Sequence, residues 1–291
     1  MTAVVTPQPP PQVKSAIAAI PEDSWTPIVW VDEDVAMRIA VAGGTGVVGR
    51  HAVAAARRAG HDVVVLSRDN GVDLRRDEGV AQALDGVEAI VDTTNVVTTK
   101  GEKARAFFVD VTARLQRIGA DRNVRHVVTL SIVGIDRAAG YGYYGAKLAQ
   151  EKQALAGEVP ATIVRATQFF EFPGQLLRQF RYGPVAVMPQ MKVQPVAARA
   201  VGETLATVAA HPPDGRIEVA GPDQTRLPDM ARRLLRARRS RTLVVAVPVP
   251  GRAGTAMRRG ALLPGGDALI VGPTFGEWLA AGELGVQGAA D

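Results

Sequence analysis

One stretch constrains this chain more than any other: Met37 to Arg68, MRIAVAGGTGVVGRHAVAAARRAGHDVVVLSR. Arg38–Ala42 is a short apolar run that reads as a strand. Gly43-Gly44-Thr45-Gly46-Val47-Val48-Gly49 follows at once. Val47 to Ala59 then places Val48, Ala52, Ala55 and Ala59 at helical spacing, and Gly60 stands where a left-handed residue ends a helix. His61–Leu66, mostly β-branched, is a second strand. Each glycine has a physical task in this strand–turn–helix–strand unit. At Gly43 the chain turns sharply out of the strand. Gly46 lets the backbone approach a diphosphate with no Cβ in the way, and Gly49 lets the helix pack close on the sheet. The free N–H groups around Thr45, Gly46, Val47 and Val48, with a helix dipole behind them, form an anion site. The unit therefore points to a dinucleotide fold, because the glycines sit between a strand and a helix.

The end of the second strand decides which dinucleotide. A carboxylate there holds a ribose 2′-OH, whereas an arginine accommodates a 2′-phosphate. This chain has Ser67-Arg68, with Asp69 one residue later and Arg50 at the start of the helix. The charge pattern favours NADP(H) over NAD(H).

Strand and helix keep alternating beyond this unit. Helical patterns cover Glu78–Leu84, Glu102–Ile118 and Tyr143 to about Ala156. Strand patterns cover Val87–Asp92, Val124–Leu130 and Ala161–Val164. The expected architecture is α/β: a doubly wound parallel (Rossmann) sheet with a small C-terminal substrate-binding region, drawn from about 166–200 and 221–280. Thr93-Thr94-Asn95 lies at the end of the third strand, where such sheets bind ligands. Residues 1–36 differ from the rest. Their proline run, Pro7-Gln8-Pro9-Pro10-Pro11, suits an extended or disordered tail, and Met37 is a second position at which the native chain is expected to begin.

Composition removes several classes of function. The 291 residues contain no cysteine, which excludes disulfides and thiolate chemistry, and four scattered histidines lack metal-ligand spacing, so no metal site is expected. No apolar run is long enough to span a membrane and no secretory pattern opens the chain, so a cytoplasmic enzyme is the simplest class. The net charge of +5 is spread along the chain. Its one arginine run, Arg232 to Arg241, reads as a solvated helix face, which makes a nucleic-acid partner unlikely.

The chemistry-bearing residues come after the fourth strand. Ser131 is expected at its end, and Tyr143 and Lys147 stand four apart on the next helix, hence on one face. An ammonium beside a phenol lowers the phenol's pKa, and a serine hydroxyl can hold a carbonyl oxygen. Such a trio can pass a proton while a nicotinamide moves a hydride. Further on, Phe169 and Phe170 offer either a flat apolar wall for a planar carbonyl or ordinary packing for the following helix.

Taken with the glycine turn, Leu130-Ser131-Ile132-Val133-Gly134, Tyr143–Glu151 and Val164–Glu171, these residues make the chain resemble the short-chain dehydrogenase/reductase superfamily. The fuller pattern is similar to its atypical, NmrA-like NAD(P)H-binding branch over about 37–280. The resemblance implies that Asp73 and Leu74 border the adenine. It places Thr93, Thr94 and Asn95 near the cofactor ribose and Lys147 on the nicotinamide ribose. Ser131 and Tyr143 become the carbonyl-facing pair. The leading expectation is an NADP-dependent oxidoreductase of a small carbonyl, quinone or alcohol, as a monomer or homodimer. A non-catalytic NAD(P)H-sensing regulator and a nucleotide-sugar epimerase or dehydratase are the alternatives.

Overall fold

The computed structural model describes residues 36–96, 98 and 100–282. Residues 1–35 of the expected N-terminal tail lie outside them. In chain order the first half runs β1 (Arg38–Ala42), α1 (Gly49–Arg58), β2 (Asp62–Leu66), α2 (Asp77–Ala83), β3 (Ala89–Asp92), α3 (Gly101–Asp121), β4 (His126–Ile132), α4 (Gly142–Leu155) and β5 (Ala161–Ala166). Then come α5 (Phe172–Gln179), β6 (Arg181–Tyr182), β7 (Val185–Pro189), β8 (Lys192–Val193), α6 (Ala198–Ala209) and β9 (Arg216–Ala220). The chain continues through β10 (Thr225–Arg226), α7 (Leu227–Ala237), β11 (Leu243–Val247), α8 (Gly251–Arg259), β12 (Leu269–Ile270) and α9 (Phe275–Ala280).

Seven strands form one parallel sheet in the order β12-β9-β5-β4-β3-β1-β2. Crossover helices cover both faces, which is why its strands are near-continuous apolar runs. Ile39, Ala40, Val41 and Ala42 are all fully buried. One face packs on α1 and α6 through Val53, Ala56, Val201 and Leu205. The other packs on α2 and α3 through Val80, Leu84, Val111 and Leu115. Strand order reverses at β1, which has β2 on one side and β3 on the other. In such sheets the ligand crevice opens at the carboxyl ends of the strands flanking the reversal.

The remaining segments build a further core around Phe170, Met188, Leu234, Phe275 and Trp278. Val185–Met188 and Lys192–Pro195 read in sequence as short strands around a turn, and the structure has β7 and β8 there. β7 joins β6 and β11, while β8 pairs with β10. Gly251–Gly266 reads in sequence as loop-rich with a short helix around Ala256, and the structure has the nine-residue helix α8 there. Among the described residues no helix is long and apolar enough to cross a membrane.

Candidate functional site

The glycine turn is built as tightly as its sequence requires. Gly43 has φ +74°, a conformation that a side chain resists, and its N–H donates to the Leu66 carbonyl at 3.0 Å. Gly46 N–H donates back to the Gly43 carbonyl at 2.9 Å, closing the turn. A Cβ on Gly49 would lie 2.2 Å from that same carbonyl oxygen and 2.7 Å from Thr93 Oγ1. The third glycine thus seats the start of α1 on the turn itself as well as on the sheet. Val48 is the N-cap and makes no side-chain capping bond, so α1 starts two residues later than its sequence pattern suggests. Thr45 and Gly46 are exposed and Val47 half-buried, and the N–H groups of Val47 and Val48 take no backbone acceptor among the described residues. Donors without acceptors at a helix start, with bare glycine before them, fit a diphosphate.

Thr93 fastens this turn to β3, since its hydroxyl donates to the Ala42 carbonyl at 2.8 Å. Ser67 and Arg68 lie at the end of β2. Ser67 is buried and its hydroxyl has no hydrogen-bond partner, while Arg68 is exposed at the start of a short 3₁₀ turn over 68–70. An orphan hydroxyl beside an accessible guanidinium fits the ribose end of a dinucleotide, with the cation available to a 2′-phosphate. Asp73 accepts from the Arg75 backbone N–H at 3.0 Å, and that bond holds its carboxyl below the usual range. Leu74 is half-buried next to it.

At the far side of the crevice Tyr143 and Asn95 meet. The Tyr143 hydroxyl donates to Asn95 Oδ1 at 2.7 Å, and its ring packs edge-on against Phe108. Two glycines permit this approach. Gly101 and Gly142, at the starts of α3 and α4, touch so closely that a Cβ on Gly101 would lie 2.9 Å from the Gly142 Cα. Lys147, one helical turn along, is buried, and its ammonium donates to the Leu130 carbonyl at 2.7 Å and to Gln150. Burial pushes Lys147 down to about 8 and pushes the Tyr143 phenol up to about 12, with Tyr141 adding to the latter. The expected lowering of the phenol by the lysine is therefore corrected: desolvation wins and Tyr143 stays protonated across the neutral range.

Ser131 also departs from its expected place. β4 runs on to Ile132, so Ser131 lies within the strand, paired across the ladder with Arg165. Its hydroxyl is buried and donates to Glu151 Oε1 at 2.6 Å. Glu151 is in turn gripped by Arg165 through two bonds of 2.8 Å. The serine thus ties α4 to the sheet and offers its proton to a buried carboxylate rather than to a substrate oxygen. Phe170 is corrected too. It is fully buried against Phe275 and Trp278, with ring centroids 5.3 and 5.5 Å away. Phe169 is half-buried and bridges to Val196. The polar groups at this strand end went unnoticed in the sequence. Thr167 and Gln168, directly after β5, are buried, and neither the threonine hydroxyl nor the glutamine amide has a hydrogen-bond partner. Among the described residues no group of three or more His, Cys, Asp and Glu is placed to hold a metal.

Residues 39–138 match the NAD dependent epimerase/dehydratase family. No curated protein matches the sequence. The fold is shared with several solved structures. One is a short-chain dehydrogenase/reductase superfamily protein from Agrobacterium tumefaciens with bound NAD, 16% identical at a TM-score of 0.62, over 84% of this chain and 95% of that one. Another is UDP-N-acetylglucosamine 4-epimerase from Bacillus cereus, 16% identical at 0.64, over 88% and 98%. A third is dTDP-glucose 4,6-dehydratase from Streptomyces venezuelae with NAD bound, 18% identical at 0.64, over 84% and 95%. The family match spans the glycine turn, and the solved structures share the fold of this chain.

Proposed function

We propose that this protein is an NADP(H)-dependent oxidoreductase that reduces a carbonyl carbon, with Tyr143 as the proton donor. The observation that carries this reading is the Tyr143–Asn95 pair, 2.7 Å apart, on the same crevice side as a buried lysine and across from an open glycine turn. Val47 and Val48 N–H groups would hold the diphosphate, and Ser67 and Arg68 the phosphorylated ribose. The bound nicotinamide would supply the hydride. A phenol held near pKa 12 keeps its proton at neutral pH, which suits it to protonate an oxygen as negative charge develops there. Asn95 aims the phenol by accepting its hydrogen bond in the resting site, and Lys147 places positive charge one turn below it. With Ser131 committed to Glu151, substrate orientation falls to Asn95, Thr167 and Gln168.

Two observations favour other readings. The match to the epimerase/dehydratase family, and sugar-nucleotide enzymes among the similar structures, favour a redox-neutral reaction on a nucleotide sugar. The withdrawn Ser131 favours an NmrA-like protein that binds NADPH and does no chemistry. One experiment separates them. Calorimetric titration with NADPH and NADH is followed by turnover assays with a panel of small carbonyls and quinones, then with UDP- and dTDP-sugars. Net NADPH oxidation that Tyr143→Phe abolishes, with cofactor affinity unchanged, is the expected result. Sugar conversion without net NADPH loss establishes the redox-neutral reaction instead. Tight binding with no turnover establishes the sensor, and no binding of either cofactor refutes all three readings.

A further inference from the structure

We propose that Asp92 and Gln150 are positioning residues that hold the Lys147 ammonium in place and keep it charged, and thereby lock the helix bearing Tyr143 to the strand end bearing Asn95. This deepens the proposed function and rests on its placement of Tyr143 and Lys147.

Asp92 is the last residue of β3 and is 1% exposed. Its Oδ1 accepts the Thr94 backbone N–H at 2.9 Å and the Thr94 hydroxyl at 2.6 Å. Its Oδ2 accepts Gln150 Nε2 at 2.9 Å and the Thr112 hydroxyl at 3.3 Å. Four donors aimed at one carboxyl suit the ionised form, which is acceptor-only. That arrangement settles the orientation of Gln150, itself fully buried. Its amide nitrogen faces the carboxylate, so its oxygen faces outward, and the Lys147 ammonium donates to it. A glutamine is suited to this because its two ends have opposite hydrogen-bond character. It turns an acceptor, the carboxylate, into another acceptor one residue away, and an ammonium offers only donors.

The surroundings leave few other charges to hold Lys147. Asp92 from β3 and Glu151 from α4 are the two charges that raise its pKa against burial. α3 contributes the face of Phe108, 4.7 Å from the ammonium, and β4 contributes the Leu130 carbonyl. Glu151 is spent on Arg165, which also reaches Asp136 at 3.1 Å, and on Ser131, with Arg216 at 3.5 Å. Among the described residues no arginine or lysine is in direct contact with Asp92, so its counter-charge is Lys147 through the amide. The geometry closes a ring. Tyr143 meets Asn95 and Gln150 meets Asp92, so two contacts join α4 to the four-residue stretch 92–95. Losing the second leaves the Tyr143–Asn95 bond to join α4 to that stretch.

The test uses the full chain with labelled lysines, the Lys147 signal being identified by its loss in Lys147→Arg. Its protonation midpoint is followed by NMR in the parent, in Asp92→Asn, and in Gln150→Met, which keeps volume and removes the amide. The parent midpoint is expected near 8. Asp92→Asn is expected to lower it by about one pH unit or more, and Gln150→Met by less, because the unbridged carboxylate still acts through space. Where turnover is found, the alkaline limb of its pH profile moves down with the lysine in both variants and stays put in Gly79→Ala. A folded Asp92→Asn or Gln150→Met with an unmoved midpoint overturns the proposal, whether or not the protein turns over. A moved midpoint in a protein that oxidises no NADPH sustains the proposal for Lys147 and defeats the oxidoreductase reading instead.

Discussion

Gly49→Ala is the most direct perturbation of the dinucleotide turn. The added methyl would sit 2.2 Å from the Gly43 carbonyl oxygen, where ordinary contact begins above 3 Å, so the turn and the helix start must part by roughly 1 Å. Neither side yields easily. Gly43 is held by hydrogen bonds to Leu66 and Gly46, and α1 is packed through Ala52, Val53 and Ala56. The same methyl would lie 2.7 Å from Thr93 Oγ1, whose 2.8 Å bond to the Ala42 carbonyl fastens β3 to β1. Overpacking of this kind costs about 1–3 kcal/mol and a disturbed hydrogen bond about 1 kcal/mol more. At roughly 2–4 °C per kcal/mol for a chain of this size, the melting temperature should fall by about 4–16 °C. The displaced Val47 and Val48 N–H groups should also cost NADPH affinity on the order of tenfold or more, the worth of one charge-assisted bond. Gly79→Ala is the control. It lies inside α2 with nothing within 4 Å of the new methyl, and helix propensity alone should stabilise by up to about 1 kcal/mol. Scanning fluorimetry with and without NADPH reads both variants. A Gly49→Ala protein that melts within 1 °C of the parent (~0.3 kcal/mol on the same scale) and binds NADPH equally well refutes the reasoning.

Three further outcomes follow from buried groups. His126 is buried neutral beside Thr162, and desolvation pushes it down to about 4. The unfolded chain binds the proton first, near 6.5, so stability is full above that pH and is lost as pH falls from 6.5 towards 4, by about 3 kcal/mol in all. Urea denaturation across that window should show this slope and His126→Gln should flatten it. Phe170→Ala should cost about 3–5 kcal/mol in urea denaturation, while the NADPH affinity of the folded fraction stays unchanged, as suits a core residue. Glu151→Gln leaves the Arg165 guanidinium buried with half its partner gone. It should cost about 3–5 kcal/mol, and the apolar pair Glu151→Leu with Arg165→Met should recover most of it in the same assay.

What the sequence could tell follows from how local each feature is. The glycine turn is made of consecutive residues, so strand, turn and helix were all legible from 38 to 66, down to the left-handed Gly60. The parallel alternation was legible for the same reason, up to β5. After that, β6, β7 and β11 share a sheet although β7 and β11 are more than fifty residues apart, and no local pattern shows such a pairing.

The candidate site divides along the same line. The four-residue spacing of Tyr143 and Lys147 puts them on one helix face, and that much needed only the helix. What each side chain does there is set by groups from elsewhere. Asn95 accepts the phenol's hydrogen bond, the Leu130 carbonyl accepts one from the ammonium, and burial raises the phenol, with Tyr141 adding to it, and lowers the amine. Ser131 shows the sharpest consequence. Two more residues of strand than its pattern suggested bring it opposite Arg165, whose carboxylate partner then claims the serine hydroxyl. A motif read by spacing assumes that its side chains are free to act. Here the long-range partners decide that: Ser131 is held, Tyr143 is presented, and Gln150, which no spacing rule marks, stands between the lysine and its counter-charge.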